Sequence, residues 1–303
     1  MHRSSRTVLV AGAAPWTARQ LTGRRGGALR AVPRHPRNAV IELAPDQLPA
    51  LSAWFTAGAP GTAALAEHVR ATGTGRWWAD RAADPRTAAV SCAGHVLLRG
   101  DPAALAPGAL AVFDGHYVRA ADRFRPALGS AFGRLVPWER MLWVHRFPAP
   151  APRPPHGVTV RRVAPGDAPA LTALTADAGW IHATWGGPSA LAASGRGWAA
   201  LDRDRMLALA CTYVQGTAYE DLACFTDPAH RRRGLALACV AALCRDVAAR
   251  GRTASWTCSR DHRPSRLLAW NTGFRLRHEY VHYFTGQPAA HPPVRRETPP
   301  VRA

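Results

Sequence analysis

The chain has 303 residues, and its 39 arginines outnumber its 20 acidic residues, which gives a formal net charge of +19. Its length allows one large or two modest domains, and its 47% of hydrophobic residues is ordinary for a chain that folds around a core. No apolar stretch approaches the ~20 residues that a membrane-spanning helix needs, so the composition argues against a membrane protein.

The positive charge suggests a nucleic-acid partner, but two features weaken that interpretation. The chain contains no lysine, and arginine together with much alanine, glycine and proline is typical of a GC-rich coding sequence. The charge is also uneven, because residues 1–38 contain eight arginines and no acidic residue. Nucleic-acid binding through the arginine-rich ends therefore stays a minor alternative.

The six cysteines form no CxxC pair and show no spacing typical of metal ligands. Most lie in apolar runs, where a free cysteine acts as a small hydrophobic residue. His278 and His282 have the i,i+4 spacing of a helical metal site, but on a strand their side chains would lie ~13 Å apart. We expect a reduced, cytoplasmic protein without a metal site.

Residues 1–38 are predicted to be an unfolded extension, or the product of a misassigned start codon. Two alternatives remain open. The stretch MHRSSRTVLVAGAAPW weakly resembles a secretory signal, and VLVAGA would also suit the first strand of a dinucleotide-binding fold. Gly12 has no GxGxxG partners, which counts against the second alternative.

Residues 39–147 are predicted to form a smaller mixed α/β domain. APDQLPALSAWFTAG predicts a helix that begins near Asp46 and ends near Gly58. AAVSCAGHVLLRGD predicts two short strands, ALAVFDGHYVRA another strand, and ADRFRPALGSAFGRL an interrupted helix. Trp77 and Trp78 are interpreted as packed core residues, with a binding surface as the alternative.

Two proline-rich segments bound the remaining chain. PAPAPRPPHG, residues 148–157, predicts a stiff extended linker. QPAAHPPVRRETPPVRA, residues 287–303, predicts a disordered tail. The second domain is therefore predicted over residues 158–286.

The second domain has a regular alternation of element signals. GVTVRRV predicts a strand, after which Asp167 is expected to cap a helix that ends at Gly179. Two apolar runs around residues 202–205 predict a hairpin, and AYEDLACFT predicts the next strand. The last signals are a helix in RRRGLALACVAALCRDVAARG, a strand in TASWTC, a helix in RPSRLLAWNTG and a strand in FRLRHEYVHYF. The order β-α-β-β-β-α-β-α-β predicts a mixed sheet with helices on its faces.

The stretch TDPAHRRRGLALA joins a strand to a helix through three arginines and a glycine. The N-terminus of a helix carries unpaired N–H groups and a partial positive charge, so a loop before it can hold a phosphate. Glycine allows a close approach of the backbone, and arginine adds charge and donors. The stretch lacks the GxxxxGK[ST] and GxGxxG patterns of nucleotide-binding loops. A solvated surface turn is the alternative.

Arg231, Gly234 and Ala236 resemble the (Q/R)-x-x-G-x-(G/A) loop of the GNAT superfamily of N-acetyltransferases. The predicted strand order is that of the superfamily, and Gly273-Phe274 resembles its GF before the final strand. The resemblance extends over about 157–286 and is looser over 39–147, where one bacterial branch of the superfamily has an extra N-terminal domain.

The resemblance implies an acyl-CoA, most simply acetyl-CoA, as the co-substrate. The backbone of the strand Cys224, Phe225 and Thr226 would pair with the pantetheine arm, and an N–H there would face the thioester oxygen. His262 stands where the superfamily often has an asparagine near the cofactor. The pyrophosphate would be held at Arg231 and by the backbone N–H groups of Arg232, Arg233, Gly234, Leu235 and Ala236.

The resemblance also implies direct attack by an amine, so a base is needed and Cys224 is interpreted as packing. Glu220, on the strand that leads to the loop, is predicted to be the base, with Asp221 as the second choice. The tyrosine that often protonates the leaving thiolate is replaced by Ala269. Tyr280 and Tyr283 are weak substitutes, and Trp256 is interpreted as core rather than acceptor pocket.

The leading hypothesis is an N-acetyltransferase acting in a ternary complex on a small-molecule amine or a protein amino group. The missing tyrosine keeps a non-catalytic acyl-CoA-binding or sensor protein as the main alternative. The N-terminal domain is expected to cover one side of the acceptor site or to mediate formation of a homodimer.

Overall fold

The structure is a computed structural model that describes residues 39–44, 51, 54–174 and 176–286. The predicted extension (1–38), the predicted tail (287–303) and much of the helix predicted from Asp46 lie outside these residues. The described strands are β1 (Ile41–Glu42), β2 (Arg76–Ala79), β3 (Thr87–Cys92), β4 (His95–Gly100), β5 (Tyr117–Arg119), β6 (Leu135–His145), β7 (Val158–Arg162), β8 (Gly197–Asp202), β9 (Arg205–Gln215), β10 (Tyr219–Thr226), β11 (Thr253–Ser259) and β12 (Phe274–Thr285). The α-helices are α1 (Leu65–Thr72), α2 (Arg125–Ala131), α3 (Ala168–Thr172), α4 (Pro188–Ser194), α5 (Leu235–Ala249) and α6 (Arg263–Asn271).

All the described strands join one mixed sheet in the order β1-β2-β3-β4-β5-β12-β6-β11-β10-β9-β8-β7. Only β4–β5 and β10–β11 pair in parallel; the other described pairs are antiparallel. The mixed α/β fold predicted from the sequence is therefore confirmed. No helix in the described part of the chain is long and apolar enough to cross a membrane.

Strand β6 belongs to the first half of the chain but lies between β11 and β12 of the second half. Its Met141 and Trp143 are buried in the same cluster as residues of α5 and β11. The sheet is thus continuous across the proline-rich segment 148–157. The division into two domains at that segment stays a prediction.

The helices cover both faces of the sheet. Buried side chains of α5 form one cluster with β6 and β8 to β11, and α2 packs with β3 to β5 on the same face. On the opposite face, α1 packs on β2 to β4, and α3 and α4 pack on β8 to β10. The sheet lies between the helices of the two faces, and its middle strands position the site described below.

The predicted helix from Asp167 to Gly179 is wrong in its extent. The α-helix ends at Thr172, a 3-10 segment follows over Ala176–Trp185, and α4 comes next. The carboxylate of Asp167 accepts the N–H of Ala164 and binds Arg161 at 2.7 Å. The indole N–H of Trp185 donates to the carbonyl of Thr212 at 2.7 Å. These contacts, with Arg161 of β7 at one end and Thr212 of β9 at the other, override helix propensity.

The other elements predicted for the second domain are confirmed: the hairpin β8–β9, the strands β10, β11 and β12, and the helices α5 and α6. In the first half, the two strands around Ala93 and Gly94 are confirmed as β3 and β4, and the strand in ALAVFDGHYVRA as β5. Trp77 and Trp78 are buried, as expected of packed aromatics. The glycine of the GF pair, Gly273, has φ +92°, and a Cβ there would lie 1.7 Å from the carbonyl oxygen of Phe147.

Candidate functional site

Strands β10 and β11 run side by side only at their first residues. They pair from Tyr219–Thr253 to Leu222–Trp256, and beyond this point β10 continues to Thr226 and β11 to Ser259 without pairing with each other. On their outer sides, β10 stays paired with β9 and β11 with β6. Within the described residues, one backbone edge of 223–226 therefore has no strand partner and can bind an extended ligand that carries amide groups.

The arginine loop follows directly from this free edge. Asp227 shapes the turn, because its carboxylate accepts the N–H of Ala229 at 2.9 Å and binds Arg205 at 2.8 Å. Arg232 and Gly234 then adopt positive φ angles of 61° and 77°. The first N–H of α5 that finds a backbone acceptor is that of Ala238, which donates to the carbonyl of Gly234.

The loop has the donors and the charge that an anion requires. Within the described residues, the N–H groups of 232–236 find no acceptor, and Arg231, Arg232 and Arg233 form no ion pair with a carboxylate. Arg232 and Arg233 are exposed, while Arg231 donates from Nε to the carbonyl of Thr226 at 3.3 Å. Successive N–H groups in a turn before a helix form a concavity that binds phosphate.

His262 lies near the same loop, at the start of α6. Its Nε2 is buried and has no hydrogen-bond partner in the described part of the chain. Burial lowers the pKa of His262, Asp261 opposes this, and the charges of Arg140 and Arg231 lower it further. The imidazole is therefore neutral and offers an unused polar atom beside the loop.

Glu220 occupies a different environment from the one predicted. Its side chain is completely buried, and Arg196, Arg250 and Arg252 bind it at 2.8, 2.7 and 3.0 Å. Thr212 donates a further hydrogen bond at 2.5 Å. Although burial opposes it, these hydrogen bonds and charges lower the pKa of Glu220.

The role of Glu220 as the base stays a prediction, and this geometry does not favour it. Its neighbours on the same face, Leu222 and Cys224, pack in the α5 cluster. Both carboxylate oxygens are already occupied by arginine donors, so the group has no free lone pair directed at a substrate and a weak affinity for a proton.

Asp221, the next residue, points to the opposite face of the sheet. Its carboxylate accepts hydrogen bonds from the hydroxyls of Ser255 and Thr257, both at 2.8 Å. The Ser255 hydroxyl also accepts the N–H of Gly61 at 3.0 Å. Burial raises the pKa of Asp221 to about 6, against the smaller opposing effects of these hydrogen bonds and of Arg140 and Arg119.

Asp221 belongs to a group of polar side chains in the middle of the sheet that we call the polar cluster. Its side chains come from both halves of the chain and lie on the face that carries α1, α3 and α4. The members of the polar cluster are Thr62, His95, Arg119, Arg140, Asp221, Ser255, Thr257, Tyr280 and His282.

Comparison with known proteins agrees with this geometry. The family model described as GNAT acetyltransferase matches residues 154–283. An uncharacterized N-acetyltransferase of Streptomyces virginiae is 63% identical over 212 residues, which cover 70% of this chain and 90% of the relative. The chain belongs to the GNAT acetyltransferase family. It is accordingly an acyltransferase, as the sequence predicted.

Solved GNAT structures share the fold well beyond the second half of the chain. A GCN5-related N-acetyltransferase-like protein from Streptococcus suis is similar with a TM-score of 0.61 at 16% identity, and covers 78% of this chain and 98% of its own. A GNAT acetyltransferase from Colwellia psychrerythraea is similar with a TM-score of 0.54 at 12% identity, covering 81% and 98%. These coverages reach into the first half, where β1 to β6 lie.

This GNAT protein lacks the tyrosine that many members carry near the leaving group. Ala269 stands at that position and is fully buried in the α5 cluster. Tyr283 is buried against Val118 on the α2 side of the sheet. Tyr280 belongs to the polar cluster, and its hydroxyl has no hydrogen-bond partner in the described part of the chain.

Of two further residues weighed in the sequence, Trp256 is buried, and Cys224 is half-buried and packs against the α5 cluster. Trp256 is buried in the α5 cluster, and its indole N–H donates to the Ser265 hydroxyl at 3.0 Å. Burial raises the pKa of the Cys224 thiol to about 12, so a thiolate nucleophile is disfavoured there.

Sequence reasoning missed most of the polar cluster. His95, Arg119 and Arg140 lie in the first half of the chain, where no chemical motif is visible, and register places them beside β12 and β11. A signal was available in Arg140, a charged residue that shares one face of its strand with Trp138 and Leu142 by the two-residue period.

Proposed function

We propose that the protein is an N-acetyltransferase that moves the acetyl group of acetyl-CoA to a primary amine by direct attack in a ternary complex. The observation that carries this proposal is the separation of β10 and β11 beyond Leu222, immediately before a loop of free N–H groups and unpaired arginines. An extended arm that contains amides would fit the separated strands, and a pyrophosphate would fit the loop that follows them.

The residues of the loop fit the pyrophosphate. The N–H groups of 232–236 would bind it together with Arg231, and the free edge of residues 223–226 would pair with the amides of the pantetheine arm. His262 would contact the same ligand through its unpartnered Nε2. When bound, acetyl-CoA supplies an acetyl group activated as a thioester.

Asp221 is proposed as the base in place of Glu220. With a pKa of about 6 it is ionised at neutral pH yet able to accept a proton, which suits a general base. The ammonium of the acceptor gives one proton to Asp221, the nitrogen forms a bond to the acetyl carbon, and the bond from that carbon to sulfur breaks. The second amine proton accounts for the thiol that leaves, because it replaces the proton that the acid described next gives to the thiolate.

The source of the proton for the leaving thiolate is proposed to be Tyr280 rather than Tyr283. The hydroxyl of Tyr280 lies in the polar cluster without a partner among the described residues, whereas Tyr283 is buried among apolar side chains on the other face. A tyrosine hydroxyl is an O–H donor, so it can pass its proton to a thiolate beside it.

Calorimetric titration with acetyl-CoA tests the cofactor assignment. We expect stoichiometric, micromolar binding by the native chain and no detectable binding by Gly234→Asp, which places a carboxylate where the phosphates would approach. The matched control is Gly251→Asp at the other end of α5, because Gly251 has a similar φ of 71° and open space around it. Both variants carry the same backbone strain and the same added charge.

The control decides how a loss of binding is interpreted. If Gly251→Asp binds acetyl-CoA normally and Gly234→Asp folds but does not bind, the loop assignment stands. Unchanged binding by Gly234→Asp would contradict it. Binding of acetyl-CoA without turnover of any amine would identify the alternative, a non-catalytic acyl-CoA sensor.

The cell compartment and the assembly are also proposals. All six cysteines are free, which supports a reducing, cytoplasmic environment. A homodimer stays a prediction that sedimentation of the purified chain would test.

A further inference from the structure

Two arginines of the polar cluster lack the carboxylate partner that a half-buried guanidinium usually has. Within the described residues, neither Arg119 nor Arg140 forms an ion pair, although both are partly buried. Arg119 stacks 4.4 Å above the ring of Tyr280, and Arg140 stacks 4.0 Å above that of Trp138. The Nε of Arg140 is buried without any acceptor.

A chain of short contacts places Arg119 close to the proposed base. Asp221 contacts Ser255, which accepts the N–H of Gly61 at 3.0 Å. The next residue, Thr62, accepts a hydrogen bond from Nη1 of Arg119 at 3.2 Å. The Asp221 carboxylate and the Arg119 guanidinium are therefore linked through the polar groups of Ser255, Gly61 and Thr62.

The two buried histidines beside the arginines are neutral. His282 is 1% exposed, lies 3.5 Å from the Thr62 hydroxyl, and its Nδ1 has no partner in the described part of the chain. Burial, then the charges of Arg140, His95 and Arg119, lower the pKa of His282 well below its ordinary value. Burial lowers the pKa of His95 to about 3. Neither histidine supplies or balances charge at neutral pH.

The cluster therefore holds two guanidinium charges against the one carboxylate of Asp221. An acceptor that carried only an ammonium group would meet a net positive field and be repelled. Half-buried guanidinium groups without a partner are costly unless an anion joins them, and arginine binds carboxylate and phosphate oxygens through paired donors.

We propose that the acceptor is a small amine that also carries an oxyanion, a carboxylate or a phosphate, which Arg119 and Arg140 bind while the amine faces Asp221. This inference rests on the proposed N-acetyltransferase function and names its substrate class. Arg119 and Arg140 come from β5 and β6, so the first half of the chain would contribute acceptor recognition. A protein N-terminus, which has no adjacent oxyanion, does not fit the cluster.

Release of free CoA thiol from acetyl-CoA tests the proposal with matched pairs of amines. The probes are the twenty common L-amino acids, β-alanine, O-phosphoethanolamine and taurine, each compared with a neutral amine of the same skeleton, such as the amino acid amide. We expect at least one anionic probe to exceed its neutral partner by about 100-fold in kcat/KM, the effect of one lost charge-assisted contact pair. The carboxylate and phosphate arms show which oxyanion is bound.

Variants separate this inference from the proposed function. Arg119→Gln and Arg140→Gln are expected to raise KM for the best anionic probe about tenfold or more, with the affinity for acetyl-CoA unchanged by calorimetry. Arg123→Gln is the matched control, because Arg123 is exposed, contacts the carbonyl of Gly100 and lies outside the polar cluster. Its kinetics should equal those of the native chain.

Each of the remaining outcomes would overturn either the acceptor inference or the proposed function. Neutral amines acetylated as well as their anionic partners, or failure of every anionic probe while acetyl-CoA binds, would overturn the acceptor inference. A loss of acetyl-CoA affinity in Arg119→Gln and Arg140→Gln would also overturn it, since the arginines would then belong to the co-substrate site. Failure of the native chain to bind acetyl-CoA would instead overturn the proposed function.

Discussion

Two adjacent acidic residues illustrate how environment decides the role of a side chain. Glu220 and Asp221 follow each other on β10, so their side chains point to opposite faces of the sheet. Three arginines and a threonine lower the pKa of Glu220, whereas burial with only two hydroxyl partners raises that of Asp221 to about 6. Glu220 therefore stays ionised to a lower pH than a free glutamate, and Asp221 can exchange a proton near neutral pH.

The substitution Asp221→Asn tests the base. In the native chain, kcat/KM should rise with pH as Asp221 ionises and level off above about pH 6, because only the carboxylate accepts a proton. The variant should lose about 10²–10³ in kcat, the usual effect of removing a general base, and its acid limb should disappear. The measurement is a pH–rate profile with saturating acetyl-CoA.

The stability of the same variant is its control for folding. The raised pKa means that the folded state holds the proton more tightly than the unfolded one, so Asp221 costs stability as the pH rises from ~3.9 to about 6. A shift of this size corresponds to about 3 kcal/mol. Asp221→Asn should therefore unfold at a higher denaturant concentration at pH 8; a lower midpoint would show that the carboxylate stabilises the fold and contradict the assignment.

At the scale of the element, the two ends of β10 have different tasks. Its C-terminal end carries the free edge and the arginine loop, and its N-terminal end carries Glu220, which ties the strand to Arg250 and Arg252 after α5 and to Arg196 before β8. The ion pairs anchor β10 and α5 together at one end. At its other end, β10 can then stay separated from β11 without a bound ligand.

Removal of the anchor is expected to destabilise the fold rather than the chemistry. Glu220→Gln leaves three guanidinium groups around a neutral amide and should lower the free energy of unfolding by ~3–5 kcal/mol. Because the pKa of Glu220 is lowered, its contribution is present above ~pH 4.3 and is lost as the pH falls through the folded-state pKa. Urea unfolding at pH 7 and at pH 3 measures both effects.

A surface ion pair provides the comparison for Glu220→Gln. Glu139 pairs with Arg260 at 3.2 Å, and both side chains are more than half exposed. Glu139→Gln should change stability by less than ~1 kcal/mol at any pH. Equal effects of the two substitutions on the free energy of unfolding would show that the buried ion pairs of Glu220 contribute no more than a surface ion pair.

At the scale of the whole molecule, strand β6 completes the part of the sheet that is formed by the family-matched residues 154–283. Met141 and Trp143 pack among residues of α5 and β11, and β6 pairs with β11 on one side and with β12 on the other. The family match over 154–283 excludes this strand, although it lies between two strands inside that range. The half that matches the family model is therefore incomplete in space without the half that precedes it.

A fragment of residues 148–303 should consequently not fold cooperatively. Without β6 it loses the hydrogen-bond partner of both β11 and β12, and truncating even one large core residue such as Trp143 costs ~3–5 kcal/mol out of a typical total of ~5–15. Calorimetry should show one transition for the full chain and none for the fragment. Co-expression with residues 1–147 should restore the transition, whereas a stable isolated fragment would show that β6 is dispensable.

The sequence by itself determined the strands and the helices α5 and α6 of the second half, the arginine loop and the family. These features are local, because a strand, a turn residue and a helix start are each specified by a few consecutive residues, as in TDPAHRRRGLALA. Only the tertiary structure placed Glu220 among arginines and Asp221 beside two hydroxyls, and brought Arg119 and Arg140 to the middle of the sheet. Those assignments depend on which face a residue occupies and which distant strand lies beside it, and neither follows from spacing along the chain.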